Sequence, residues 1–171
     1  MHMLWRTLLI FLSKNSGEKV SFLDETEYTM RVLPTDLDLL MHVNNGVYFS
    51  FMDFGRWNMI FKNGAYDLAK KNGWYTVVAG ETIRFKKSLK LWDKFTMKTK
   101  MVGHDDKYFF IEQRFLKNGE EMATGLVKVR FLKKAGGTIS APDVLKVFNV
   151  EERRVSELSN DWANLDAKYL Y

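Results

Sequence analysis

The sequence from residue 46 to residue 61 places the strongest constraint on the fold of this chain. It reads Gly-Val-Tyr-Phe-Ser-Phe-Met-Asp-Phe-Gly-Arg-Trp-Asn-Met-Ile-Phe, with aromatic and apolar residues on nearly every side of a helix. A helix that is apolar all round is buried and must be covered by other elements. Asn44 or Asn45 can cap its start, and Asn63-Gly64 predicts its end near Lys62.

Segments of alternating polarity provide the cover for this helix. In the segment Asp93–Val102, one face holds Phe95, Met97, Thr99 and Met101, and the other face holds lysines and a threonine. The predicted strands are Glu25–Leu33, Val77–Leu89, Asp93–Val102, Tyr108–Leu116 and Glu121–Leu132. Short turns, among them a hairpin signal at Lys117–Glu120, predict an antiparallel meander of the last four. The expected fold is α+β, an antiparallel sheet wrapped around one long central helix.

The length of 171 residues favours one domain with a substantial core. We expect an N-terminal apolar helix over residues 1–20, the main domain over 21–135 and a helical tail over 136–171. Further helices are predicted at Ala65–Lys71, Asp143–Phe148 and Asn160–Lys168.

The N-terminal segment Met3–Leu12 is apolar but shorter than the roughly 20 residues needed to span a bilayer, and Arg6 interrupts it. The polar stretch Ser13–Lys19 contains no small-residue cleavage site, which argues against a secretory signal. Two interpretations stay open: a helix packed on the domain, or an interfacial helix that rests on a membrane. The expected location is therefore cytoplasmic, with membrane association as the alternative.

Composition excludes several kinds of function. Without cysteine the chain forms no disulfide, no thiolate zinc site and no cysteine nucleophile. The three histidines His2, His42 and His104 are scattered, so no metal site is expected. The net charge of +5 attracts phosphates, but the basic residues alternate with apolar ones and form no block, which argues against nucleic acid as a partner.

The segment Asp36–Asn45 holds two carboxylates, an imidazole and two amides within ten residues, beside the start of the buried helix. The first N–H groups of a helix are unpaired and partially positive, so they can stabilise a carbonyl oxygen that becomes anionic. A nearby carboxylate can act as a nucleophile or as a general base toward water. These are the groups needed to hydrolyse an ester or a thioester.

Residues Pro34–Arg56 resemble the motif of the 4-hydroxybenzoyl-CoA thioesterase-like hotdog superfamily. That motif is Asp-x-Asp, a short spacer, Gly-His-Val-Asn-Asn, then Tyr, an acidic residue five positions further on, and Arg. Tyr48, Asp53 and Arg56 fill the later places. The stretch from Arg31 to Asn45 is most similar to the THEM6-like branch of these proteins.

The resemblance implies roles for individual residues. Asp38 matches the carboxylate that acts as base or nucleophile, His42 matches a histidine among the catalytic groups, and Asn45 matches the position whose N–H polarises the thioester carbonyl. Tyr48, Asp53 and Arg84 are the candidate substrate-binding residues. Leu40 stands where plant acyl-carrier-protein thioesterases have Asn, and Met41 replaces the usual Gly, so a bulky side chain there is expected to reshape the acyl entrance.

Several of these residues also have structural interpretations. Asp36 is expected to hold the loop by accepting backbone N–H groups, and Asn44 to cap the helix. Asp53 and Arg56 are three residues apart on a helix and can form an ion pair. His104, beside a turn, is expected to be exposed to solvent.

The expected function is hydrolysis of an acyl-CoA or an acyl-carrier-protein thioester, with coenzyme A as part of the substrate and no other cofactor. The alternative is a non-catalytic module that binds acyl groups or acyl-CoA. The substrate phosphates could be bound by basic residues near the strand ends: Arg84, Lys86, Lys87, Lys90, Arg130, Lys133 and Lys134. The resemblance also implies a homodimer or a tetramer.

Overall fold

The computed structural model describes residues 2–12, 14, 19–151 and 155–169; most of the polar stretch after the first helix lies outside these ranges. In chain order the elements are α1 His2–Leu12, β1 Thr26–Arg31, a 3-10 turn Pro34–Asp36, α2 Asn45–Lys62, α3 Ala65–Lys71, β2 Trp74–Phe85, β3 Lys94–His104, β4 Phe109–Lys117, β5 Glu120–Lys133, α4 Ala141–Phe148 and α5 Ser156–Tyr169.

The five strands form one antiparallel sheet in the order β1-β3-β4-β5-β2. The predicted four-strand meander is therefore wrong for β2, which pairs with β5 at one edge of the sheet. Strand β2 also begins and ends earlier than predicted. After Phe85 the chain crosses the sheet through residues 86–93 rather than turning tightly, because this connection buries Leu89 completely in the core.

Helix α2 packs against one face of the sheet, as its all-round apolar sequence predicts. Phe51 and Met52 are fully buried, and Asn45, Gly46 and Asp53 are its only residues classed as exposed. The helix approaches the sheet closely at Gly55. A Cβ atom there would overlap Met97 Cε and lie 2.7 Å from Gln113 Nε2, so a side chain at this position would force the two layers apart.

Most local predictions within the sheet are confirmed. Phe95, Met97, Thr99 and Met101 of β3 are all buried on the face toward the helix. The hairpin between β4 and β5 has positive φ at Asn118 (52°) and at Gly119 (80°), as an Asn-Gly turn requires.

Helix α1 packs against α2, which confirms the first of its two interpretations. Ile10 is 1% exposed, and the Phe11 ring lies 5.0 Å from Trp57 and 5.1 Å from Phe61 between ring centroids. The opposite side of α1 is apolar and open to solvent. Its most exposed residues are Leu4, Leu8, Leu9 and Leu12.

Helix α5 covers the face of the sheet opposite to α2. The Trp162 ring lies 6.1 Å from Phe110 between centroids, and its Cζ2 would be 3.1 Å from a Cβ on Gly80. Lys128 faces away from α2, as its alternation predicts, but it is buried because α5 covers it and Asp166 pairs with it.

The prediction that His104 is exposed is wrong. Strand β3 continues further than expected, and His104 pairs with Phe109 at its end. The side chain is 1% exposed, and its Nδ1 lies 2.8 Å from the carbonyl oxygen of Asp105. The carbonyl of His104 accepts the N–H of Val155, so the chain before α5 closes over this strand end.

Candidate active site

The loop between the 3-10 turn and α2 is held together by Asp38. The Asp38 N–H donates to the carbonyl of His42 at 2.8 Å, and Asp38 Oδ1 accepts the N–H groups of Leu40 at 2.8 Å and His42 at 3.3 Å. Asp38 Oδ2 accepts no hydrogen bond from any residue that the structure describes. One oxygen of the carboxylate thus braces the loop, and the other has no hydrogen bond within the described residues.

The start of α2 presents the backbone amide of Asn45 at a cavity. Asn44 is the N-cap, as predicted: its side chain accepts the N–H of Gly46 at 2.9 Å, and its carbonyl accepts the N–H of Val47 at 2.9 Å. The N–H of Asn45 makes no hydrogen bond with another described residue. It is therefore the donor that the helix start offers to a ligand.

A cavity of about 220 Å³ joins these groups. Its lining residues are Asp38, Leu40, His42, Val43, Asn45, Tyr48, Phe85, Lys87 and Ser88. The structure therefore brings together all three predicted catalytic residues and one predicted substrate-binding residue, Tyr48. The His42 backbone forms an isolated bridge with Lys90, so the connection over residues 86–93 closes one side of the site.

Tyr48 is a buried wall of this cavity. It is 2% exposed, its ring lies 5.0 Å from Phe85 between centroids, and its hydroxyl accepts the N–H of Leu89 at 3.2 Å. Burial raises the pKa of the Tyr48 phenol, against a smaller opposite effect of the Leu89 hydrogen bond. The Tyr48 side chain therefore forms a buried part of the cavity wall.

Asp53 does not line the cavity at Asp38. It lines a second cavity of about 150 Å³ between α2 and the sheet, with Arg56 and mainly apolar neighbours. The predicted Asp53–Arg56 ion pair is present, and Arg56 also donates to Gln113 Oε1 at 2.9 Å and to Glu81 Oε2 at 3.2 Å. Burial raises the pKa of Glu81, and the Arg56 charge opposes that rise.

Arg84 is on the far side of the sheet. It is paired in register with Thr124, whose partner on β4 is Arg114, and these three share one face. Their neighbours Phe115 and Ala123 point the other way, toward α2. The structure therefore does not bring Arg84 to the Asp38 cavity, and its role in substrate binding stays a prediction.

One of the proposed phosphate-binding lysines, Lys87, lines the cavity, and the backbone of a second, Lys90, lies beside it. Lys87 forms an ion pair with Glu120 at the sheet end, while Lys90 is bridged to His42. Lys86, by contrast, pairs with Glu121 at 2.5 Å.

Sequence reasoning missed three features of the site. Phe85 and Ser88 line the cavity because the chain crosses over here, and no local signal marks that crossing. Met41 has φ of 60°, in the region that glycine adopts without strain, which explains why glycine is usual at this position. The Met41 side chain is exposed and Leu40, not Met41, lines the cavity.

Comparison with known proteins agrees with this geometry. The family model of the thioesterase-like superfamily matches residues 32–160, which include the strands β2 to β5, helix α2 and the cavity. The chain belongs to the thioesterase-like superfamily. Protein THEM6 of Xenopus laevis is 37% identical over 108 residues, or 63% of this chain and 52% of that protein. This thioesterase-like chain spans about half the length of the curated relatives it matches.

Solved structures show the same hotdog fold. The probable thioesterase YbaW of Escherichia coli superposes with a TM-score of 0.67 at 18% identity, over 71% of this chain and 94% of that one. The DHNA-CoA thioesterase of Staphylococcus aureus gives a TM-score of 0.64 at 19% identity, over 80% and 94% of the two chains.

Proposed function

We propose that this chain hydrolyses acyl thioesters, with Asp38 as the base or nucleophile and the Asn45 N–H as the oxyanion donor. The observation that supports this most is the meeting of a carboxylate oxygen and an unpartnered helix N–H at one cavity. Family membership supports the reaction class.

The chemistry follows from these two groups. In the general-base form, Asp38 takes a proton from a water molecule whose oxygen attacks the thioester carbonyl. The carbonyl oxygen becomes negative and is stabilised by the Asn45 N–H and the positive end of α2. The C–S bond then breaks, and the sulfur takes the proton from Asp38 and leaves as a thiol. In the nucleophilic form, Asp38 attacks the carbonyl carbon, the C–S bond breaks to release the thiolate, and water then hydrolyses the mixed anhydride to the free acid and the Asp38 carboxylate.

The proposed substrates are thioesters of coenzyme A. The structurally similar enzyme of Staphylococcus aureus is named for a coenzyme A thioester, and Lys87 brings a positive charge to the cavity wall. Thioesters of an acyl-carrier protein have the same phosphopantetheine and are the alternative.

The proposal is tested by giving the purified chain acyl-CoAs of several chain lengths and following free thiol. We expect turnover above the spontaneous rate for at least one chain length. Saturable binding measured by calorimetry, with no thiol release at any length, would instead favour a non-catalytic binding module. That second candidate has support of its own, because Asp38 Oδ1 already serves the loop.

We further propose a homodimer formed through β2. This strand is at the edge of the sheet, so one side of its backbone has no partner strand in the described chain. Tyr75, Val78 and Phe85 on it are 44%, 43% and 41% exposed. Exposed apolar edges of this kind pair with other strands.

A peripheral membrane contact through α1 also stays a proposal, as does the cytoplasmic location. Leu4, Leu8 and Leu12 recur every four residues, share one side of α1 and are 70%, 59% and 73% exposed. Among the described residues, no helix is both long and apolar enough to cross a membrane.

Replacing these three leucines by serine is expected to abolish flotation of the protein with anionic liposomes, because the apolar side of α1 is lost. Flotation assays would compare the triple variant with Val147→Ser, which changes an exposed apolar residue on α4. Equal flotation of the triple variant and the unchanged protein would exclude this contact.

A further inference from the structure

Arg6 connects α1 to the loop that forms the candidate site. Although it interrupts an apolar helix, it is only 6% exposed. Its Nη2 donates to Asp36 Oδ2 at 2.8 Å and to the carbonyl of Arg31 at 3.0 Å. The guanidinium also lies 5.3 Å from the centroid of the Phe51 ring on α2. One side chain therefore contacts the last residue of β1, the 3-10 turn and the central helix.

Asp36 connects Arg6 to the start of α2. It is completely buried, and Oδ2, the oxygen that receives Arg6, also accepts the N–H of Leu33 at 2.8 Å. The carbonyl of Asp36 accepts the N–H of Asn44 at 2.9 Å. Asn44 is the residue before the proposed oxyanion donor. A continuous set of hydrogen bonds thus runs from α1 to the peptide that precedes the Asn45 N–H.

The direct contact between the Arg6 and Asp36 side chains is a single hydrogen bond. Arg6 Nη1 and Asp36 Oδ1 are both buried and make no hydrogen bond with the described residues. A single contact between Nη2 and Oδ2 therefore joins the two side chains. A buried carboxylate that loses its cation is strongly unfavourable, so Asp36 must take up a proton or the turn must change its contacts when Arg6 is removed.

We propose that Arg6 is a positioning residue of the site, so that α1 is part of the catalytic architecture although it lies outside the matched residues 32–160. The inference rests on the proposed thioester hydrolysis. Arg6 touches no reacting atom; it acts through Asp36 on the place of the Asn45 N–H. Displacing a catalytic group by about 1 Å can cost roughly 10²-fold in rate, so a loosened turn affects kcat more than substrate binding.

The test separates folding from positioning with three variants. Arg6→Met leaves Asp36 as an unpaired buried charge and is expected to lower the Tm. Arg6→Met/Asp36→Asn removes both charges and keeps an acceptor for the Leu33 N–H, so it is expected to recover most of the Tm. We expect its kcat to stay about 10- to 100-fold low, with KM changed less than about threefold. Arg6→Lys keeps the positive charge and is expected to restore part of kcat.

Lys128→Met is the matched control, because it removes another buried ion pair, with Asp166, on the opposite face of the sheet. It is expected to lower the Tm and leave kcat unchanged. Hydrogen–deuterium exchange gives a second readout: amides of residues 36–46 should exchange faster in the double variant, and amides of β4 should not.

Unchanged kcat in the folded double variant would overturn the positioning role. If the unchanged protein hydrolyses no thioester, the proposed function fails, and exchange alone decides on Arg6. In that case faster amide exchange over residues 36–46 of the double variant supports the role of Arg6 in ordering the loop. Unchanged amide exchange there overturns this role.

Discussion

Replacing Asp38 by asparagine is expected to lower kcat for thioester hydrolysis by about 10²- to 10⁴-fold, while the loop stays folded. Asparagine keeps a side-chain oxygen that can accept the N–H groups of Leu40 and His42, as Oδ1 does in the structure. It cannot take a proton from water or attack a carbonyl. The substitution therefore removes the chemical role of Asp38 and preserves its structural role.

Asp38→Ala distinguishes the two roles further. Alanine removes the acceptor as well, so we expect the same loss of kcat together with faster amide exchange at Leu40 and His42. Asp67→Asn, which alters a more exposed carboxylate on α3, is the control and should keep full activity. If hydrolysis by Asp38→Asn stays within threefold of the unchanged protein, Asp38 is a structural residue only.

Introducing lysine at Val78 and at Thr82 is expected to convert a homodimer into monomers. Both residues are exposed and lie on β2, the edge strand proposed to pair with its copy. In an edge-to-edge pairing the added charges of the two copies come close together, and edge lysines oppose strand pairing. Light scattering after size exclusion would give the mass of each variant.

The control for this prediction is Thr29→Lys on β1, which is the other edge of the sheet and is also exposed. It should leave the mass of the dimer unchanged. A monomeric mass for the protein without substitutions, or a dimeric mass for the β2 variant, would show that β2 is not the interface.

Local chemistry made much of the fold predictable. The apolar run over residues 46–61, the alternation in β3 and the Asn-Gly hairpin each depend on neighbours in sequence, and each is confirmed. The order of strands depends on distant pairing instead. The alternation within β2 does not show that this strand pairs with β5, because that pairing depends on residues about fifty positions further along the chain.

The candidate site was predictable from local sequence. Asp38, His42 and Asn45 lie within eight consecutive residues, and a hydrogen bond between Asp38 and His42 closes the loop. Residues whose position or burial depends on contacts with distant parts of the chain could not be predicted in this way. The face of Arg84 follows from its register with β5, and the burial of His104 follows from the chain near Val155. In the sequence Arg6 only interrupts an apolar helix, because its partner Asp36 lies thirty residues further on.

The most direct test of the proposed site is the amide resonance of Asn45 during a titration of the Asp38→Asn variant with an acyl-CoA, which that variant binds without rapid turnover. If the thioester carbonyl is held as proposed, the Asn45 N–H should show one of the largest shifts and should saturate together with binding. Saturation of binding with an unmoved Asn45 resonance, and shifts confined to residues around Asp53 or Arg84, would contradict the proposed site.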